Sequence, residues 1–164
     1  MKTSPKVFFP YHYTSANIDT YLQKYIKKGM SVYDVGTGTG ILAILSKQYG
    51  ANRVLATDIS DDAIECAEEN CKEYNIEVRN NYLNFGIDEK FDIVIANLDP
   101  NPAMEFLQYA QNTMKDDGIL ILTWWSKWDF KDLPLKFDYE ILEHTDGFDF
   151  NAYVLKRRKN DNKK

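Results

Sequence analysis

The stretch SVYDVGTGTGILAIL, residues 31–45, constrains the fold more than any other part of the chain. Residues 31–35 read as a strand, and the apolar run from about Thr39 to Tyr49 reads as a helix. Gly36, Gly38 and Gly40 lie between them. A strand that enters a helix through alternate glycines makes a β-turn-α unit. In such a unit the backbone can take positive φ and come close to a ligand facing the helix N-terminus. The dinucleotide fingerprint G-x-G-x-x-G uses that helix end for a pyrophosphate, but the spacing here is G-x-G-x-G, and its third glycine position holds Ile41. Asp34 stands two residues before the first glycine. A carboxylate there repels a pyrophosphate and suits a cation, or a ligand offering an amine and hydroxyls.

The rest of the chain repeats this alternation. Strands are expected at 53–57, 76–80, 91–98 and 118–124, with helices beginning near Ser60 and spanning about Pro102 to Met114. A further helix is expected at 14–28, with Ile18, Leu22, Tyr25 and Ile26 on one face. Strand and helix alternating through short connections imply a parallel sheet covered on both faces. The end of the chain differs: two strand-like runs meet at Asp146-Gly147, a hairpin signal, so the sheet is expected to finish antiparallel. One domain over 1–158 is expected, with 159–164 as a solvated tail.

Composition narrows the function classes. A net charge of −5 argues against a general nucleic-acid binder, which would carry a basic surface. Cys66 and Cys71 supply neither a disulfide framework nor zinc-ligand spacing, so a reducing, cytoplasmic compartment is expected and no metal is. No apolar run approaches a membrane span, and the N-terminal segment lacks the apolar core of a signal peptide.

Asp58, in ATDIS at the end of the second strand, lies about 20 positions past the glycine turn, where an acid can accept both hydroxyls of a ribose. It can equally cap the next helix. Ile59 beside it can pack on an adenine.

Together DVGTGTG, ATDIS and FDIVIANL resemble the class I S-adenosylmethionine-dependent methyltransferases. Within that class the chain resembles the catalytic domain of the PrmA type, which modifies a ribosomal protein on amino groups. The resemblance runs from about residue 10 to 157 and is strongest from Val32 to Asn97. It implies an α/β, Rossmann-like, doubly wound and mostly parallel seven-stranded sheet with a C-terminal antiparallel hairpin. It also implies S-adenosylmethionine as cofactor, its amino-acid end held by Asp34 and the turn Gly36, Thr37, Gly38 and Gly40. Asp58 would take the ribose and Ile59 the adenine face. Asn81 or Tyr82 stands where the family often places an acid near the adenine amine, so RNNYLN departs from the pattern. YHYTSA at 11–16 resembles the family's threonine-rich segment over the cofactor, which makes Thr14, with His12 and Ser15, candidates.

Methyl transfer from a sulfonium is an in-line displacement that depends mainly on placing a neutral nucleophile about 3 Å from the methyl carbon. Asn97, at the end of the fourth strand in IANLDPNP, is the expected group for orienting the acceptor through its amide oxygen, with Asp99 as an additional base. Either can instead be a turn or helix-start residue. Leu98 follows the asparagine where the adenine- and glutamine-modifying families carry proline, which argues against nucleobase amination. Trp124, Trp125 and Trp128 can line an acceptor pocket, belong to the core, or cover a partner surface.

PrmA-type enzymes carry a separate N-terminal domain that grips the protein substrate, for which 164 residues leave no room. Acceptor choice is therefore expected to rest on the N-terminal helix, the loops at 97–102 and 123–128, or a second subunit, as in a homodimer. A peptide or protein amino group is the expected acceptor. The alternatives are a small-molecule acceptor or a non-catalytic cofactor-binding scaffold. A nicotinamide dehydrogenase is disfavoured by Ile41 and Asp34.

Overall fold

The computed structural model describes residues 2, 13–125, 133–147 and 150–159. Helix α1 (Tyr13–Tyr25) precedes β1 (Ser31–Val35), α2 (Ile41–Gln48), β2 (Arg53–Asp58), α3 (Asp61–Cys71) and β3 (Glu77–Asn80). Then come β4 (Phe91–Leu98), α4 (Pro100–Tyr109), β5 (Met114–Trp125), α5 (Leu133–Lys136), β6 (Tyr139–Asp146) and β7 (Phe150–Arg157). The strands form one seven-stranded sheet in the order β3-β2-β1-β4-β5-β7-β6. The first five are mutually parallel, and β7 lies antiparallel between β5 and β6. This is the expected mostly parallel, doubly wound sheet with an antiparallel end.

Side-chain alternation along the central strands explains the helices on both faces. Val32, Ile93, Ile95 and Ile121 point to one side, where Ile18 and Leu22 of α1 and Leu42 and Ala43 of α2 complete a core. Tyr33, Val94, Ala96, Leu120 and Leu122 point to the other, against Ala103, Phe106 and Leu107 of α4. Every one of these strand side chains is at most 1% exposed, so the strands cannot show the half-polar pattern of a one-sided sheet.

Element ends follow local chemistry. Helix α2 begins at Ile41 rather than the expected Thr39 because Gly40 sits at φ 83°, outside right-handed helix geometry. Ser60 caps α3, its hydroxyl accepting from the Ala63 N–H at 3.3 Å, with Asp61 and Asp62 in the first turn. The helix expected over about 102–114 starts two residues earlier, because Pro100 suits the first helical position, and it tightens into a 3-10 turn at Ala110–Thr113. Strand β5 then starts at Met114 rather than Gly118, and its register against β4 shifts between Phe91 and Ile93. The N-terminal helix stops at Tyr25, short of the expected 28, and the chain reverses through Gly29 at φ 89°. Among the described residues no helix is long and apolar enough to cross a membrane.

Candidate functional site

The sheet order reverses between β1 and β4, and at that reversal the carboxyl ends of the strands leave a crevice. It is lined by Val35 and Gly36 after β1, Asp58 and Ile59 after β2, and Asn81, Tyr82 and Leu83 after β3. Asn97, Leu98 and Asp99 of the β4 end and Pro102 of α4 close the other side. Six of the residues expected at the site from sequence therefore meet in one cavity: Gly36, Asp58, Ile59, Asn81, Asn97 and Asp99.

The glycine turn is held by its own hydrogen bonds. The Thr37 N–H donates to the Thr57 carbonyl at 2.8 Å, and the Gly38 N–H donates to Asp58 Oδ2 at 2.9 Å. Asp58 Oδ1 accepts from the Ser60 N–H at 3.0 Å, so both carboxylate oxygens are oriented by backbone while each keeps a lone pair. Since Ser60 supplies the cap, Asp58 is not spent as one. Gly36 lies at φ 69°, and a Cβ there would fall 2.5 Å from Leu98 Cδ2, so β1 and β4 meet at this point only over a bare backbone. Gly40 has a different role: a Cβ would fall 2.7 Å from Cys71 Sγ, so it lets α3 pack on the start of α2, away from the cavity.

Asp34 does not line the cavity. It is completely buried beneath the turn, where the Thr37 hydroxyl donates to its Oδ2 at 2.6 Å. Its Oδ1 is buried as well, and a backbone hydrogen bond from Ala43, in the first turn of α2, also favours the ionised carboxyl. Burial pushes the Asp34 carboxyl up to about 7, reinforced by the charge of Asp58 and opposed by the Thr37 hydrogen bond. Thr37 is likewise buried and acts through Asp34.

Across the cavity, Asn97 Oδ1 accepts from the Thr123 hydroxyl at 2.7 Å. The expected use of that amide oxygen toward an acceptor is thus limited to its second lone pair. Asp99 is the exposed residue preceding α4; its carbonyl accepts from Ala103, and its side chain makes no cap bond. Asn81 donates from Nδ2 to the Leu83 carbonyl at 3.0 Å, and its N–H ties the loop to the Asp58 carbonyl at 2.8 Å.

Sequence reasoning missed the group beneath that loop. Leu83 sits at φ 48°, and its carbonyl also accepts from the Tyr33 hydroxyl at 2.7 Å, with Thr57 Oγ1 a further 3.0 Å partner of that hydroxyl. Burial pushes Tyr33 up to about 12, so it stays a donor. A tyrosine in an apolar strand was the one available signal. Trp124 corrects the pocket reading: it is 2% exposed in the α4-side core, stacked on Tyr153 at 5.1 Å, and it does not reach the cavity. Thr14 lies on α1, but its side chain, those of Ser15 and Trp125, and His12 and Trp128 fall outside the described residues.

The cavity fits S-adenosylmethionine better than a pyrophosphate. The carboxylates of Asp58 and Asp99 offer negative charge and acceptors, and no Lys or Arg is among the described lining residues. Fold and cavity together define the Rossmann-like α/β fold of the class I methyltransferases, with an acidic crevice at its reversal.

The family follows from comparison with known proteins. A family model described as ribosomal protein L11 methyltransferase (PrmA) matches residues 11–124. The chain belongs to that family. A protein named ribosomal protein L11 methyltransferase from Caldicellulosiruptor saccharolyticus is 50% identical over 102 residues, 61% of this chain and 34% of its own length. One of the same name from Thermosipho africanus is 38% identical over 147 residues, 88% of this chain and 55% of its own. The chain thus spans about a third to just over half of these relatives. The crystal structure of a ribosomal protein L11 methylase from Lactobacillus delbrueckii subsp. bulgaricus superposes with a TM-score of 0.80 at 27% identity, covering 96% of this chain and 84% of that one.

Proposed function

We propose that this chain binds S-adenosylmethionine in the crevice between the β1, β2 and β4 ends and methylates amino groups of ribosomal protein L11. The observation that carries it is an acidic crevice at the sheet's reversal, with no Lys or Arg among its described lining residues, in a chain matched to the PrmA family over 11–124. When bound, S-adenosylmethionine supplies a methyl group on a positively charged sulfur.

In this reading the free lone pairs of Asp58 accept the ribose hydroxyls, while Ile59, 62% exposed in the free chain, covers the adenine. Asn81 offers its amide oxygen to the adenine edge. Gly36 and the turn after β1 receive the amino-acid end, with Asp34 and Thr37 holding the turn from beneath. Asn97 orients the acceptor nitrogen, and Asp99 draws the cationic side chain to the mouth and accepts the proton that the amine must lose. An amine oriented by Asn97 would pass its proton through Asp99 to water as it takes up the methyl group. The site of action is the cytoplasm, where Cys66 and Cys71 remain the free thiols found here.

Calorimetry with S-adenosylmethionine, S-adenosylhomocysteine and NAD tests the cofactor half. Both sulfur compounds should bind and NAD should not; binding of NAD alone contradicts the reading. Asn97→Ala should keep the affinity for S-adenosylhomocysteine and lose turnover. Wild-type turnover in that variant removes Asn97 from the chemistry. Label that appears on a small molecule rather than on L11 redirects the acceptor half.

A further inference from the structure

Thr123 is a hydroxyl in an unfavourable place. Its neighbours along β5 are Ile119, Leu120, Ile121, Leu122 and Trp124, and it is completely buried. A hydroxyl at such a position is costly unless it finds a partner. Its hydrogen bond goes to Asn97 Oδ1 at 2.7 Å. The two residues stand directly opposite each other in the β4/β5 register. Strand alternation turns both toward the face occupied by α1, the side of Ile95 and Ile121. Asn97 therefore enters the cavity with one lone pair of its amide oxygen already fixed from below.

We propose that Thr123 is a positioning residue: its hydroxyl sets the plane and facing of the Asn97 amide so that the acceptor nitrogen meets it in a single orientation. This rests on the reading of Asn97 as the group that orients the acceptor. An asparagine side chain ends in a terminal torsion with a broad, roughly two-fold preference, so without a partner its oxygen and nitrogen exchange places readily. In-line displacement is sensitive to small misplacement of the nucleophile, and loss of the anchor acts on turnover rather than on cofactor binding.

Thr123→Val keeps the shape and removes the hydroxyl, and Thr123→Ser keeps the hydroxyl. With L11 as acceptor, Thr123→Val should lower kcat by about tenfold or more while the Kd for S-adenosylhomocysteine stays within about twofold. Thr123→Ser should restore most of kcat. In an Asn97→Ala background, Thr123→Val should add no further loss, because the group it positions is gone. Where Thr123→Val does not fold, Thr123→Ala should show the same split. A readout independent of the acceptor is 15N relaxation of the Asn97 side-chain amide, whose order should fall in Thr123→Val and return in Thr123→Ser.

Wild-type kcat and unchanged amide order in Thr123→Val overturn the proposal, and if Asn97→Ala still loses turnover the reading of Asn97 stands. An equal loss in the Asn97→Ala background also overturns it. Reduced amide order with full turnover in both single variants leaves Thr123 as an anchor but removes Asn97 from the chemistry, and the proposal fails with that reading.

Discussion

Asp34 and Asp58 end neighbouring strands yet meet opposite electrostatic conditions. Asp58 lines the cavity with both oxygens oriented by backbone amides, whereas Asp34 is sealed below the turn and pushed up to about 7. A cation bound in the crevice above the turn favours the ionised form of Asp34 beneath it, so binding below pH 7 should release protons. Affinity should therefore rise with pH through about 7 and level off above it. Calorimetry at pH 6 in buffers of different ionisation enthalpy should detect the released proton, and Asp34→Asn should abolish it. For the free chain the sign reverses: the folded state holds this proton more tightly than the unfolded chain, so this group's contribution to stability is lost as pH rises from about 4 to 7. Thermal unfolding of wild type and Asp34→Asn across that range measures it. Asp58→Ala should weaken S-adenosylhomocysteine binding by about 10- to 100-fold, the worth of hydrogen bonds to a charged group, as read by titration.

At the scale of elements, the β1-turn-α2 unit is where two strands and a helix are forced together. Gly36→Ala places a methyl against Leu98 at a positive φ, so it should cost about 1–3 kcal/mol in unfolding experiments and weaken cofactor binding. Adding Leu98→Ala should return part of the affinity by removing the overlap, but not the cost of the backbone conformation. Ser60→Ala should cost about 1 kcal/mol through the lost cap of α3 while leaving affinity unchanged, since Asp58 is held by the Ser60 N–H and not its hydroxyl. These elements were legible because glycine spacing, the Ser-Asp-Asp start and Pro100 each act locally. What escaped the sequence depended on partners far along the chain. Tyr33 reaching Leu83, Thr123 reaching Asn97, and Trp124 turning into the core are set by sheet register and strand alternation, which no local pattern carries.

At the scale of the whole molecule, the sheet order and its reversal bring residues from four strand ends into one acidic crevice. Strand-helix alternation made the parallel sheet legible, and with it the carboxyl ends of the strands as the place of the site, whereas the strand order and its reversal came only with the structure. Occupying the crevice should stabilise the entire fold: S-adenosylhomocysteine at about 100 times its Kd should add about 2.7 kcal/mol and raise Tm, whereas NAD should not. Asn97 and Asp99 line the crevice on the β4 side, where the proposed acceptor would enter. The most direct measurement is transfer of a labelled methyl group from S-adenosylmethionine to purified ribosomal protein L11, read by mass spectrometry of the product. Stepwise addition of methyl masses at L11 amino groups, lost in Asn97→Ala, is the result expected. A chain that binds S-adenosylmethionine and leaves L11 unmodified would contradict the account.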